Sequence, residues 1–357
     1  MQFRKSILQE LETAMATTGQ NPPTTSGETT HRFVEANGIR IHLAEQGTGP
    51  LVLLCHGFPE LWSAWHYQLS ALAEAGYHAV APDLRGYGQT SRPDEVEQYT
   101  LLHVVGDLVG ILDALGEERS ILVGHDWGGV LAWQAALTRP DRFGALVSMS
   151  SPYLPRGPLT GTRSTLPPTQ VWKENWGNQF FYQAALVQPG RAQAELGGDV
   201  RTGLRRLLYG ASGDAEPSQR WHPILPDPTA SLLNSAGNPA SLPAWLSEDE
   251  LDYYAGEFER TGFEAAINWY RNSDRNWELL AAYSGAKVTQ PTLFLFGEQD
   301  PLLEIPGAQR AIERMPQYVP SLRTIGLPGC GHWIGQERAA QVNQAMLEFL
   351  TVVGDWR

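Results

Sequence analysis

The sequence predicts an α/β protein, with a mostly parallel sheet flanked by helices and interrupted by a mainly helical insertion. Three observations predict it. Short continuous apolar runs such as "PLVLLC" and "SILVG" alternate with stretches of helical length between residues 51 and 151. Fully apolar strands separated by helices belong to a sheet buried on both faces. The rhythm then breaks over 152–285, a segment rich in Pro, Gly, Trp and Tyr, and resumes with "PTLFLFGEQD". The chain therefore divides into an arm and linker at 1–31, a first core piece at 32–151, a helical cap at 152–285 and a second core piece at 286–357.

The elements follow in order. Ile7, Leu8, Leu11 and Met15 lie at near-helical spacing, which predicts a short amphipathic helix over 4–15. "TTGQNPPTTSGETTH" is too rich in Thr, Pro and Gly to be core. "RFVEANGIRIHLAEQG" reads as two strands around the turn dipeptide Asn37-Gly38. Then "PLVLLCHG" is a strand, "WHYQLSALAEAG" a helix, "HAVAPDLRG" a strand and "LLHVVGDLVGILDALG" a helix. "SILVGHDW", "GGVLAWQAALTRP" and "FGALVSMSSP" continue as strand, helix and strand. Within the insertion "SEDELDYYAGEFERTG" is helical, and after it "LRTIGLPGCGHW" supplies a strand and "AAQVNQAMLEFLTVV" a closing helix.

Composition narrows the function. With 357 residues, 42% of them apolar and 18% charged, the chain can bury a sizeable core. The net charge of −13, spread along the chain, argues against nucleic acid or an anionic membrane as partner. Two cysteines, Cys55 and Cys330, give no disulfide framework. Gln9 and Glu10 interrupt the N-terminal stretch, so it is no signal peptide, and no run approaches the ~18 apolar residues of a membrane span. A cytoplasmic protein is the expectation. His56, His66, His78, His103, His125 and His222 show no spacing that suggests a metal site, and no phosphate-cradling glycine loop is present, so neither metal nor cofactor is expected.

The chemistry is carried by "ILVGHDWGG", which reads as strand, tight turn and helix with Asp126 at the apex. Small residues at 124, 128 and 129 let strand and helix pack closely around a strained apical residue. Many hydrolases place serine there; here it is a carboxylate. The alternative is that Asp126 caps the helix that follows. Asp300 follows a buried strand and His332 sits in "GCGHW", which completes the chain order nucleophile, acid, histidine. Glu298, two residues before Asp300, is the rival acid. "HGFP" at 56–59 ends another strand, and its Phe58 amide can join that of Trp127 as a two-donor oxyanion hole. Read alone, "HGFP" is equally a Gly-Pro turn; a cis bond before Pro59 is expected.

An aspartate suits attack on a saturated carbon bearing a leaving group, a strained ring oxygen or a halide. The resulting ester can be cleaved at its carbonyl by water activated by histidine. A serine would leave an ether that no such triad hydrolyses.

Together "HGFP", "GHDWGG", "GEQD" and "GCGHW" resemble the α/β-hydrolase-fold epoxide hydrolases, close to the soluble type, over residues 32–353. The insertion segments "FFYQAALVQPGRAQAEL" and "GFEAAINWYRNSDRNW" are similar to the lid segments of that family, each of which supplies a tyrosine. The resemblance implies that Tyr182 and Tyr270 hold and protonate the epoxide oxygen. It implies an uncharged epoxide and water as reactants, a vicinal diol as product and a role in detoxification. His56, Pro59, Trp127, Phe181, Trp269 and Trp333 are the expected pocket lining. A haloalkane or haloacid dehalogenase shares the aspartate, but carries Asn where Phe58 stands or Arg where Trp127 stands, and a departing halide needs no acid. A non-catalytic receptor would be expected to lack one of the catalytic parts. The sequence leaves the oligomeric state open, a homodimer included.

Overall fold

The computed structural model describes residues 27–156 and 166–354. The helix expected over 4–15, and most of the linker after it, lie outside the described residues.

β1 (Thr30–Ala36) and β2 (Ile39–Gln46) form the expected hairpin, with Ala36 opposite Ile39. Asn37 and Gly38 both take positive φ, 48° and 77°, the pairing that matches hairpin twist. Next come β3 (Leu51–Cys55), β4 (His78–Pro82), β5 (Ser120–His125) and β6 (Phe143–Met149). Between them run α1 (His66–Glu74), α2 (Leu101–Leu115) and α3 (Trp127–Thr138). Thr100 starts α2 by accepting the His103 amide, and Gly116 ends it at φ 76°.

After β6 the chain is helical: α4 (Pro168–Trp176), α5 (Tyr182–Leu186), α6 (Arg191–Leu196), α7 (Val200–Gly210), α8 (Glu248–Thr261), α9 (Glu264–Arg271) and α10 (Ser273–Leu279). Ser247 and Glu250 form a reciprocal capping box that opens α8. A two-residue strand pair, β7 (Phe180–Phe181) and β8 (Ile224–Leu225), interrupts the helices. Two residues carry no periodicity, so this pair left no mark in the sequence pattern. The core resumes with β9 (Thr292–Gly297), α11 (Ala308–Arg314), β10 (Leu322–Leu327), α12 (Ile334–Glu337) and α13 (Ala339–Val353).

The eight core strands form one sheet in the order β1-β2-β4-β3-β5-β6-β9-β10, parallel except where β2 meets β1 and β4. Every residue of β3 and β5 is buried, which explains their unbroken apolar sequence. At about 1.5–3 kcal/mol for each fully buried aliphatic side chain, these central strands anchor the molecule. β4 stops at Pro82 and β5 at His125, both earlier than their apolar runs suggested. In each case the chain leaves the sheet at an aspartate, Asp83 or Asp126.

The parallel register brings the strand ends level. Cys55 pairs with Gly124, and Leu327 with Gly297. The loops after β3, β5, β9 and β10 therefore all emerge at one edge of the sheet, where open α/β sheets hold ligands. The helical segment docks over this edge through specific polar contacts. The Trp62 indole donates to the Tyr253 hydroxyl at 2.8 Å, the Trp269 indole to the Arg85 carbonyl at 3.0 Å, and the Leu101 amide to Asn276 Oδ1 at 2.9 Å. Among the described residues no helix is long and apolar enough to cross a membrane.

Candidate active site

Asp126 sits at the tip of the turn between β5 and α3 with φ 50° and ψ −117°, a backbone conformation that costs a non-glycine residue energy. The neighbours explain how the turn closes. A Cβ on Gly128 would collide with the Cys55 carbonyl, and one on Gly124 with the Gly128 carbonyl. The helix-cap alternative fails, because the Asp126 side chain makes no capping bond to α3. Its Oδ1 instead accepts the Phe58 amide at 2.9 Å across the sheet edge. The Phe58–Pro59 bond is cis, as expected.

His332 completes the arrangement. Its Nδ1 lies 2.9 Å from Asp300 Oδ2, and its Nε2 lies 3.7 Å from Asp126 Oδ2. Asp300 is buried and makes this contact, whereas the rival Glu298 is exposed. Burial works to lower the His332 pKa, but Asp300, by charge and hydrogen bond, together with the charges of Asp126 and Glu60, lifts it to about 9. Burial raises the Asp126 pKa above the ordinary carboxylate value, against the pull of His332, His125 and the Phe58 and Trp127 amides. The two groups are coupled, the charge of each favouring the charged form of the other.

Tyr182, at the start of α5, and Tyr270, in α9, close the site from above, their rings 6.4 Å apart and nearly perpendicular. Burial, then the charge of Asp126, raises both phenol pKa values, so both stay protonated. Gln183 Nε2 donates to the Tyr182 hydroxyl at 3.0 Å, which leaves the phenolic proton to be donated elsewhere. Asp126, Asp300, His332, both tyrosines, Phe58 and Trp333 line one cavity. Its other walls are mostly apolar.

Several expected lining residues stand behind this wall instead. His56 is fully buried; its Nε2 accepts the Leu84 amide at 3.0 Å and its Nδ1 faces the Gly57 carbonyl at 2.9 Å. With both ring nitrogens engaged by backbone, it shapes the loop and is not among the residues that line this cavity. Pro59 is likewise buried within that loop. Phe181 stacks on Trp176 with centroids 4.3 Å apart, and Trp269 spends its N–H on Arg85. The Trp127 ring packs edge-on against Tyr270 at 4.9 Å and does not line the cavity itself. These five pack behind the residues that line this cavity. In their place the insertion contributes Leu186, Leu207, Trp221 and Leu232. Nothing in their sequence spacing distinguished these residues from ordinary helix packing.

A second buried network passed unnoticed in the sequence. Glu60 Oε2 accepts the Gly57 amide at 2.8 Å and lies 2.7 Å from His125 Nδ1, while His125 Nε2 lies 2.8 Å from the His332 carbonyl. Burial would raise the Glu60 pKa, but His125 and the Gly57 amide hold it below its ordinary value. This network ties the Phe58 loop, the nucleophile turn and the histidine turn together. The only sequence signal was adjacency: Glu60 follows "HGFP" and His125 precedes Asp126.

Known proteins share this fold. Residues 50–339 match the model of the alpha/beta hydrolase fold family. The chain is 44% identical over 327 residues to Epoxide hydrolase A of Mycobacterium tuberculosis, covering 91% of this chain and 98% of that one. Its structure superposes on Epoxide Hydrolase A of Mycobacterium thermoresistibile with a TM-score of 0.83 at 42% identity, over 91% of this chain and 98% of the other. An epoxide hydrolase from an endophytic Streptomyces gives 0.84 at 44% identity, covering 90% and 95%. A carboxylate at the elbow, two buried phenols above it and this degree of likeness lead to one conclusion: the chain belongs to the epoxide hydrolases of the α/β-hydrolase fold.

Proposed function

We propose that this chain hydrolyses its epoxide through a hydroxyalkyl ester on Asp126. The carboxylate is held by one oxygen: Oδ1 accepts the Phe58 amide, and Oδ2 is turned toward His332. Oδ2 attacks a ring carbon and the C–O bond opens. Tyr182 or Tyr270 gives its proton to the departing oxygen, which is too basic to leave as a free alkoxide. Alkylation removes the charge from Asp126, and with it one of the influences that keep the His332 pKa high. His332 then passes its proton back to the phenolate left by the tyrosine and acts as base. Water gives a proton to Nε2 and attacks the ester carbon, while Asp300 holds Nδ1–H. Negative charge collects on Oδ1, where the Phe58 and Trp127 amides receive it. Collapse breaks the Cγ–Oδ2 bond, and the departing alkoxide takes the proton of the new carboxyl group, which releases a vicinal diol and restores the carboxylate.

The observation that carries this reading is the convergence of a nucleophile, a base with its orienting acid, and two proton donors on one apolar cavity. The apolar walls suit an uncharged substrate. We read residues 152–285 as the cap over core pieces 32–151 and 286–357, and the enzyme as cytoplasmic. A single turnover in heavy-oxygen water tests the mechanism. Label is expected in the Asp126 carboxylate and not in the first diol released; label passing directly into that diol would refute the ester. In His332→Gln the ester is expected to form and persist, visible as an adduct by mass spectrometry.

A further inference from the structure

The turn that carries His332 meets the insertion backbone to backbone. A Cβ on Gly331 would collide with the Gly213 nitrogen, and one on Gly213 with the Gly329 carbonyl. No side chain fits in that seam, so the amides buried there need a partner from outside it. Glu337, the last residue of α12, provides one. Its Oε2 accepts the Gly331 amide at 2.8 Å and the Gly213 amide at 2.9 Å, and its Oε1 accepts the Trp333 amide at 3.0 Å. The side chain is buried, and the neighbouring Arg338 guanidinium turns to the Gly329 and Glu337 carbonyls instead of this carboxylate. Burial raises the Glu337 pKa, and the three amides oppose that rise. Two further bonds moor the same turn to the insertion: the His332 amide to the Ala211 carbonyl at 2.9 Å, and the Trp333 indole to the Leu208 carbonyl at 2.7 Å.

We propose that Glu337 is a positioning residue for the hydrolytic step. Its carboxylate clamps the amides on either side of His332 and ties them to Gly213 of the insertion, so that docking of the insertion fixes the imidazole between Asp126 and Asp300. The proposal rests on the reading of His332 as the base. Attack by Asp126 and proton donation by Tyr182 and Tyr270 are carried by β5, α3, α5 and α9, which Glu337 does not hold. Damage at residue 337 should therefore fall on ester hydrolysis and spare alkylation. Glutamine is an informative replacement. It keeps the shape but offers one acceptor oxygen and an NH2 group, so at least one of the three amides meets another donor.

The experiment compares the parent, Glu337→Gln, His332→Gln and Met346→Ala by quench-flow with styrene oxide, reading adduct by intact mass. Met346 is buried in α13 and is not among the residues lining the cavity, so Met346→Ala serves as the control for general destabilisation. In Glu337→Gln, hydrolysis is expected to fall about tenfold or more while alkylation stays within about twofold, so kcat and KM drop together and adduct accumulates. The control should change neither step. Equal slowing of both steps, or no slowing of hydrolysis, overturns the proposal. If His332→Gln traps adduct and Glu337→Gln does not, only the role of Glu337 falls. If His332→Gln traps none, the assignment of the base falls first, and this proposal with it. Should Glu337→Gln fail to fold, Glu337→Asp retains the charge but withdraws it by one methylene. A hydrolysis-to-alkylation ratio equal to the parent's then overturns the proposal.

Discussion

Asp126 and His332 titrate against each other, and this sets the expected pH behaviour of the two steps. Alkylation needs the ionised carboxylate. Because burial raises the Asp126 pKa, alkylation should fall away in acid at a pH above that of an ordinary aspartate. Hydrolysis needs the neutral imidazole. In the free protein the His332 pKa is raised to about 9, partly by Asp126, and loss of that charge in the ester moves it downward. The hydrolysis rate should therefore climb about tenfold per pH unit and level off below pH 9. Stopped-flow measurement of each step across pH checks this; a hydrolysis limb that levels off only above the free-enzyme value would contradict it. The residue scale was the most legible in sequence. Asp126, Asp300 and His332 reach the cavity because each lies in a motif whose local geometry is short-range; Tyr182 and Tyr270 reach it too, but only the resemblance of the insertion to family lid segments picked them out. His56, Pro59, Phe181 and Trp269 do not reach it, because which face of a loop or helix points inward depends on packing that motifs do not encode.

The strand–turn–helix around Asp126 is the element on which most depends. Gly128 stands where β3 and α3 touch, and its missing side chain leaves room for the Cys55 carbonyl. Gly128→Ala is expected to lower stability by about 1–3 kcal/mol through overpacking, and to cost activity out of proportion by shifting Asp126. Denaturant titration and kcat measured on the folded fraction separate the two effects; an unchanged midpoint would contradict the close approach. Strands β3, β5 and β9 were readable because both their faces are buried, which leaves continuous apolar runs. Strand ends were less so. "HAVAPDLRG" was read as one strand although β4 stops at Pro82, whereas the turn at Asp126 was already legible in "ILVGHDWGG".

At the scale of the whole molecule, the insertion is held to the core by buried polar contacts. Trp62 is 3% exposed, and its indole N–H has the Tyr253 hydroxyl as partner. Tyr253→Phe leaves that donor unmatched and is expected to destabilise the protein by about 1–3 kcal/mol, measured by chemical denaturation. A change below a few tenths would mean that this seam contributes little. By itself the sequence determined the sheet, the order of its parts, the carboxylate chemistry and the candidates Asp126, Asp300 and His332, since periodicity and short motifs act over a few residues; the two tyrosines came from resemblance to the family's lid segments. The tertiary structure alone decided which loops share an edge, which aromatics face the cavity, and how Glu60, His125 and Glu337 brace the site. Glu60–His125, Glu337–Gly213 and His125–His332 join residues 65, 124 and 207 positions apart, and the partners of these side chains are largely backbone amides and carbonyls, which are the same in every sequence until the fold brings them together.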